Sequence, residues 1–241
     1  MAQNIYDEPA FFEGYSQLPR SQFGLDGAPE WPAIRALLPE ANGLHVADLG
    51  CGFGWFARWV RSAGAAHVLG FDLSENMLAR ARDETEDDAI VYRTADLETL
   101  KLPQAAFDLV YSSLAFHYIE DFNRLAGEIF RSLKAGGSFV FSIEHPIFMA
   151  PVEPGWIELN GRKSWPVNQY LREGTRETSW LADGVVKYHR TIGSTLNTLI
   201  AAGFTVDHVL EWFPGEEQIE AMPSLAEEME RPMILIVKAR V

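Results

Sequence analysis

The stretch that most limits what this chain can fold into is 44–59, LHVADLGCGFGWFARW. Leu44, Val46 and Leu49 make a short buried strand. Gly50, Gly52 and Gly54 then alternate through a turn, and Phe56, Trp59 and Val60 resume at helical spacing. Glycine has no Cβ, so such a turn accepts positive φ and lets another molecule lie against its backbone. A strand passing through a glycine turn into a helix opens an α/β sheet, and open α/β sheets bind ligands outside the carboxyl ends of their strands. Asp48 stands at that end and offers an acceptor.

The same rhythm continues. His67–Asp72 reads as a second buried strand ending in an acid. Asp72 lies about twenty residues past the glycine turn, the separation at which such folds set a carboxylate on a ribose diol. Ser74 is placed to cap the next helix, with Met77 and Leu78 on its inner face. Residues 89–93 read as a third strand leading to Asp96, and 107–112 as a fourth leading to His117. Leu125, Ile129, Phe130 and Leu133 form a helical stripe, which the Lys-Ala-Gly-Gly at 134–137 is expected to end. A fifth strand is expected at 138–143, a helix at 191–200 and two further strands at 204–210 and 232–239.

The D-x-G-x-G-x-G run from Asp48 to Gly54, joined to Asp72-Leu73-Ser74-Glu75-Asn76-Met77 and Asp96, resembles the class I S-adenosylmethionine-dependent methyltransferases. It is similar to their broad small-molecule group, which includes quinone-biosynthesis enzymes. The resemblance implies a doubly wound, mostly parallel seven-stranded sheet with an antiparallel C-terminal strand, and S-adenosylmethionine as cofactor. It puts Asp48, Gly50, Cys51, Gly52 and Gly54 against that cofactor, and Asp72 and Leu73 beside its sugar. Met77, Ala95, Asp96 and Leu97 fall around its adenine, and Ser112 and Ser113 open the loop under the reactive methyl. The resemblance covers 44–143 and 191–241 and leaves two segments outside.

The first of these, 1–43, carries Tyr6, Phe11, Phe12, Tyr15, Phe23 and Trp31, cut by four prolines. It reads either as packing on the sheet edge or as a lid that brings Tyr15 and Arg20 to the cofactor, where an arginine would meet a carboxylate bidentately. The second, 144–190, has too many turn formers for one long helix and reads as inserted hairpins after the fifth strand. That position makes it a substrate cap whose tryptophans and tyrosines line a partly apolar pocket, with His145, Tyr188, His189 and Arg190 as polar handles. Self-packing or a homodimer surface is the competing use. Residues 214–231 read as an acidic solvated face.

The chemistry implied is in-line displacement onto a small, partly apolar or aromatic acceptor. His117, His145 and His189 are the candidate bases, since histidine titrates near neutral pH. Cys51 reads as a small filler or a reactive thiol. The loop after the fourth strand lacks the Asn/Asp-Pro-Pro-Tyr/Phe pattern of nucleobase methyltransferases, and a net charge of −14 disfavours nucleic acid and anionic membranes as partners. Six dispersed histidines and one cysteine give no metal-ligand spacing. One cysteine, no leader-like N-terminus and no long apolar run point to the cytoplasm. Two alternatives stay open. One is a nicotinamide-dependent oxidoreductase, although the G-x-G-x-x-G fingerprint counted from Gly50 meets Trp55 where its third glycine belongs. The other is a cofactor-binding scaffold without turnover.

Overall fold

The computed structural model describes residues 3–241. Prolines punctuate the N-terminal segment by starting helices: α1 (Pro9–Ser16), α2 (Pro19–Gln22) and α3 (Trp31–Leu37) each carry one in the first turn. Their missing N–H is no loss there, because those groups have no intrahelical partner.

The αβ alternation then runs β1 (His45–Leu49), α4 (Trp55–Ser62), β2 (His67–Asp72), α5 (Glu75–Asp83), β3 (Ile90–Thr94), β4 (Phe107–Ser113), α6 (Phe122–Ser132) and β5 (Leu133–Glu144). After it come α7 (Pro146–Met149) and two hairpins, β6 (Ile157–Leu159) with β7 (Arg162–Ser164) and β8 (Gly174–Trp180) with β9 (Ala182–His189). The chain closes with α8 (Ile192–Ala202), β10 (Thr205–Glu211), α9 (Glu216–Ala221) and β11 (Ile234–Arg240). The main sheet has seven strands in the order β10-β11-β5-β4-β1-β2-β3, and β11 alone runs against its neighbours. The expected α/β architecture is therefore what the chain adopts.

Both faces of the sheet are covered, so its central strands are apolar throughout rather than alternating. Leu49, Val110, Phe139, Phe141 and Leu235 pack towards α6 and α8. Val46, Val68, Leu109, Tyr111 and Ile236 pack towards α3, α4 and α5. From β1 the chain winds outward to β2 and β3, then returns to place β4 on the other side of β1. The crevice above the ends of β1 and β4 is thus the topological switch point, where open α/β sheets hold ligands.

Three expectations need correction. The glycine pair at 136–137 does not end α6: the helix stops at Ser132, Leu133 is already extended, and 133–137 run inside β5. The face at 214–231 is not wholly solvated, because Glu228 and Arg231 are buried and ion-paired at 2.7 Å. Arg231 lies over Phe148, Trp156 and Trp165, at 4.8, 5.2 and 4.6 Å from the ring centroids, and so ties this segment to the first hairpin. Arg190 is also no polar handle. It stacks on Phe122 and donates to the carbonyls of Phe116, Ile119 and Glu120, while Tyr188 lines a separate surface cleft beside it.

A small third cluster joins the two segments outside the αβ core. Ile5, Phe11 and Val185 pack with Tyr6, Tyr15, Tyr118 and Trp180, so the N-terminal helices meet the second hairpin over the carboxyl edge of the sheet. Arg176 pins that hairpin by donating to the carbonyls of Ala150, Gln169 and Arg172. Among the described residues, no helix is long and apolar enough to cross a membrane.

Candidate active site

The glycine turn is fastened to β2. The N–H groups of Gly50 and Cys51 both donate to the Phe71 carbonyl, at 2.8 and 2.9 Å. One Asp72 oxygen accepts from Gly52 N at 2.8 Å and the other from Ser74 N at 3.0 Å. This carboxylate spans from the turn to the start of α5, and each oxygen keeps a further lone pair. Ser74 caps α5 through Met77 N, and Asp7 of the N-terminal segment accepts from Ser74 Oγ and Asn76 N.

The turn needs its glycines for two reasons. Gly50 and Gly52 have φ of 75° and 51°. A Cβ at Gly50 would stand 2.5 Å from that of Ala115, whereas one at Gly52 would enter open space. The first glycine lets the loop after β4 close down on the turn, and the second leaves a bare backbone facing the crevice.

Above this backbone lies a cavity of about 850 Å³, near the top of the roughly 300–1,000 Å³ usual for small-molecule sites. Asp48, Gly50, Cys51, Gly52, Asp72, Leu73, Met77, Asp96, Leu97 and Ser113 stand in its wall, as do Tyr15 and Arg20. Asp96 also accepts from Glu98 N at 2.9 Å. Three sequence candidates stand outside that wall. Gly54 is the left-handed N-cap of α4, packed against Tyr92. Ser112 is fully buried and donates to the Leu49 carbonyl at 2.6 Å, tying β4 to β1. Ala95 packs into the core beside β2.

The electrostatics divide the wall. Asp48 is 2% exposed, its Oδ2 has no partner, and burial, with Asp72 nearby, pushes its carboxyl well above the usual range. Burial also raises Asp72, against the pull of the backbone donors of Ser74, Gly52 and Leu73. Burial lifts the Cys51 thiol well above its ordinary value, which makes this residue a filler and not a thiolate. Arg20 pairs with the buried Glu30 at 3.1 Å. The indole nitrogen of Trp55, in the same wall, is buried without a partner.

The three histidines part company. His117 lies in the cavity wall, 4% exposed, with Nδ1 accepting from Glu144 N at 3.4 Å. Burial, then the charges of Lys187 and Arg190, hold it well below its ordinary pKa. His145 is wholly buried elsewhere: it caps α7 through Ile147 N and meets Glu211 at 3.0 Å. His189 faces the separate cleft and bonds the Tyr170 carbonyl at 2.8 Å. Neither reaches the cavity, and both serve the structure. Sequence reading missed Glu144, Lys187, Glu30 and Trp55, all in the wall.

A family profile described as "Methyltransferase domain" matches residues 47–141, which span the glycine turn, Asp72, Asp96 and the loop holding His117. A solved S-adenosylmethionine-dependent methyltransferase from Mesorhizobium loti is 60% identical. It covers 90% of this chain and 100% of its own, with a TM-score of 0.87. An uncharacterized protein of Haemophilus influenzae is 34% identical over 98% of this chain and 96% of its own length. A malonyl-[acyl-carrier protein] O-methyltransferase of Pectobacterium atrosepticum is 36% identical over 138 residues, 57% of this chain and 53% of that protein, so about half the length of that relative is matched. The chain belongs to the class I S-adenosylmethionine-dependent methyltransferases. It is accordingly an enzyme, and S-adenosylmethionine is its cofactor.

Proposed function

We propose that the enzyme transfers the methyl group to a small acceptor with a flat apolar body, held between the αβ core and a cap formed by residues 144–190. The observation that carries this reading is the continuity of the cavity. One space runs from the Gly50–Gly52 backbone to the rings of Tyr118, Phe148, Trp165 and Trp180. Aromatic walls with a few polar groups suit a small apolar ligand.

The residues of the other half fit the cofactor. Asp72 has lone pairs to spare for a ribose diol, and Gly52 presents backbone without a side chain. The orphaned Oδ2 of Asp48 suits an ammonium group, while Arg20 and the unpartnered Trp55 indole suit a carboxylate. Met77 and Leu97 offer apolar contact to a base, with Asp96 beside them. When bound, S-adenosylmethionine supplies an electrophilic methyl carbon on a positively charged sulfur. Little charge remains to be stabilised as it leaves, so the chain's contribution is alignment and exclusion of water, worth up to roughly 7–11 kcal/mol. The lid formed by residues 3–43, clipped to α5 by Asp7, serves that exclusion.

A second reading takes its motive from one residue. Lys187, buried in the acceptor half, could receive a carboxylate, and a relative is named as a malonyl-[acyl-carrier protein] O-methyltransferase. The test is transfer of radiolabelled methyl to a panel of free aromatic and aliphatic acceptors, with carrier-bound malonyl as a separate arm. Turnover of free ring-bearing acceptors is expected; turnover of carrier-bound malonyl alone would replace the first reading with the second.

A further inference from the structure

The acceptor half of the cavity contains a charged pair for which the cofactor has no use. Glu144 ends β5 of the main sheet and Lys187 lies on β9 of the second hairpin, and their side chains meet with Nζ 2.6 Å from Oε1. The lysine side chain is 3% exposed, and its ammonium lies over Trp180 and Tyr118, at 5.1 and 5.8 Å from their centroids. Lys187 therefore holds Glu144 from one side only. The second oxygen, Oε2, is buried and accepts from nothing. A buried carboxylate oxygen without a donor is unfavourable in the free protein, and a polar hydrogen brought by a ligand relieves it.

His117 cannot fill the role for which its pKa recommends it. Its Nδ1 already accepts from Glu144 N, so the neutral ring carries its proton on Nε2 and has no ring nitrogen left to accept a proton. Burial and the neighbouring Lys187 charge keep it neutral.

We infer that Glu144, oriented by Lys187, receives the acceptor's polar hydrogen, and that the acceptor is an amine or hydroxyl nucleophile rather than a carboxylate. This deepens the small-acceptor reading and rests on it. As the acceptor's lone pair bonds to the methyl carbon, the electrons of the broken carbon–sulfur bond stay on sulfur. The proton of the acceptor passes to Glu144 Oε2 and from there to water when product leaves. A carboxylate acceptor has no proton to give, and would set a second anion beside Glu144 with Glu153 and Glu177 also in the wall. Lys187, the cation beside Glu144, is already engaged. Lys187 is a positioning residue.

Calorimetry on full-length protein saturated with S-adenosylhomocysteine tests this with three probes of one shape: phenethylamine, 4-ethylphenol and 3-phenylpropionate. The amine or the phenol is expected to bind at least about tenfold tighter than the carboxylate, since only they donate a charge-assisted hydrogen bond to Glu144. Glu144→Gln should remove about that factor while leaving the affinity for S-adenosylhomocysteine within about twofold. Lys187→Met should weaken the same probe, and Lys187→Arg should restore it, which a purely packing role would not produce. Tightest binding of the carboxylate, no detectable binding of any probe, or indifference of the amine and phenol to Glu144→Gln overturns the inference. Ethanolamine binding as tightly as phenethylamine would instead remove the apolar-acceptor reading and leave the role of Glu144 standing.

Discussion

Replacing Asp48 by asparagine should move stability and cofactor affinity in opposite directions. The carboxyl is 2% exposed, lacks a partner at Oδ2, and is pushed well above its ordinary pKa by burial and by Asp72. A carboxylate raised on folding binds its proton more tightly in the folded state. Its contribution to stability is therefore lost as pH rises from the ordinary value near 3.8 through the raised value. Each pH unit of that window removes about 1.4 kcal/mol. Asparagine has the same shape and no proton to lose. At pH 8 Asp48→Asn should be the more stable, by about 1.4 kcal/mol for each pH unit that separates the folded from the unfolded pKa, and the advantage should shrink as pH falls towards the carboxylate range. Urea unfolding followed at several pH values measures this. Cofactor affinity should fall, because an ammonium that meets a buried carboxylate gains a charge-assisted bond worth about 1.5–3 kcal/mol, or roughly 10–150-fold in Kd. Titration with S-adenosylhomocysteine measures that loss. A variant that is no more stable at pH 8, yet binds S-adenosylhomocysteine like the parent, would refute the idea that Asp48 accepts its burial for the sake of the ligand.

The two wall glycines should separate along the same axes. Gly50→Ala combines a φ of 75° with a 2.5 Å approach to Ala115 and should cost more than the roughly 1–2 kcal/mol of left-handed strain alone. Gly52→Ala meets nothing, so thermal unfolding should show only about that strain while S-adenosylhomocysteine affinity falls disproportionately. His145→Ala and His189→Ala should each lower stability by roughly 1–3 kcal/mol, through lost buried hydrogen bonds. Once a methyl acceptor is in hand, kcat should stay within about threefold in both, and a hundredfold loss in either would put that histidine back in the chemistry. Arg231→Ala should cost about 3–5 kcal/mol in chemical denaturation, because it strands the buried Glu228 and empties the space among three rings; a loss under 1 kcal/mol would mean the segment is not anchored there.

What could be read from the residues follows from how far each signal reaches along the chain. The glycine turn, the Asp72 spacing and the apolar runs are local patterns, and β2, α4 and α5 lie where those patterns put them. The end of α6 departs from its local pattern for an equally local reason. A glycine pair after a helical stripe is the usual stop, but here pairing with β4 drew Leu133 into a strand and left the glycines inside β5. Arg190 and the acids at 214–231 depart from expectation because charge alone says nothing about burial.

The acceptor half was the least legible part, and Lys187 shows why. Val185, Lys187 and His189 alternate on the buried face of β9, with a lysine at a position that ordinarily calls for an apolar residue. Nothing within the strand identifies that face as the inner one. It becomes inner because Phe11, Tyr15 and Trp180 close over it from the chain's first helix and the next strand. The partner that makes the buried ammonium tolerable, Glu144, is 43 residues away at the end of another sheet. Histidines drew attention because their chemistry is visible in one letter; the pair that faces the acceptor is visible only once two hairpins and the N-terminal segment have folded over the sheet. Its sequence trace is a lysine on the inward row of the strand, and the same test applied to Glu128, buried in α6, leads to Lys101 and Arg131 and ends in a structural ion pair. An inward charge is thus a prompt to ask what it faces, and in the acceptor half Glu144 and Lys187 face the cavity with a carboxylate oxygen still lacking a donor.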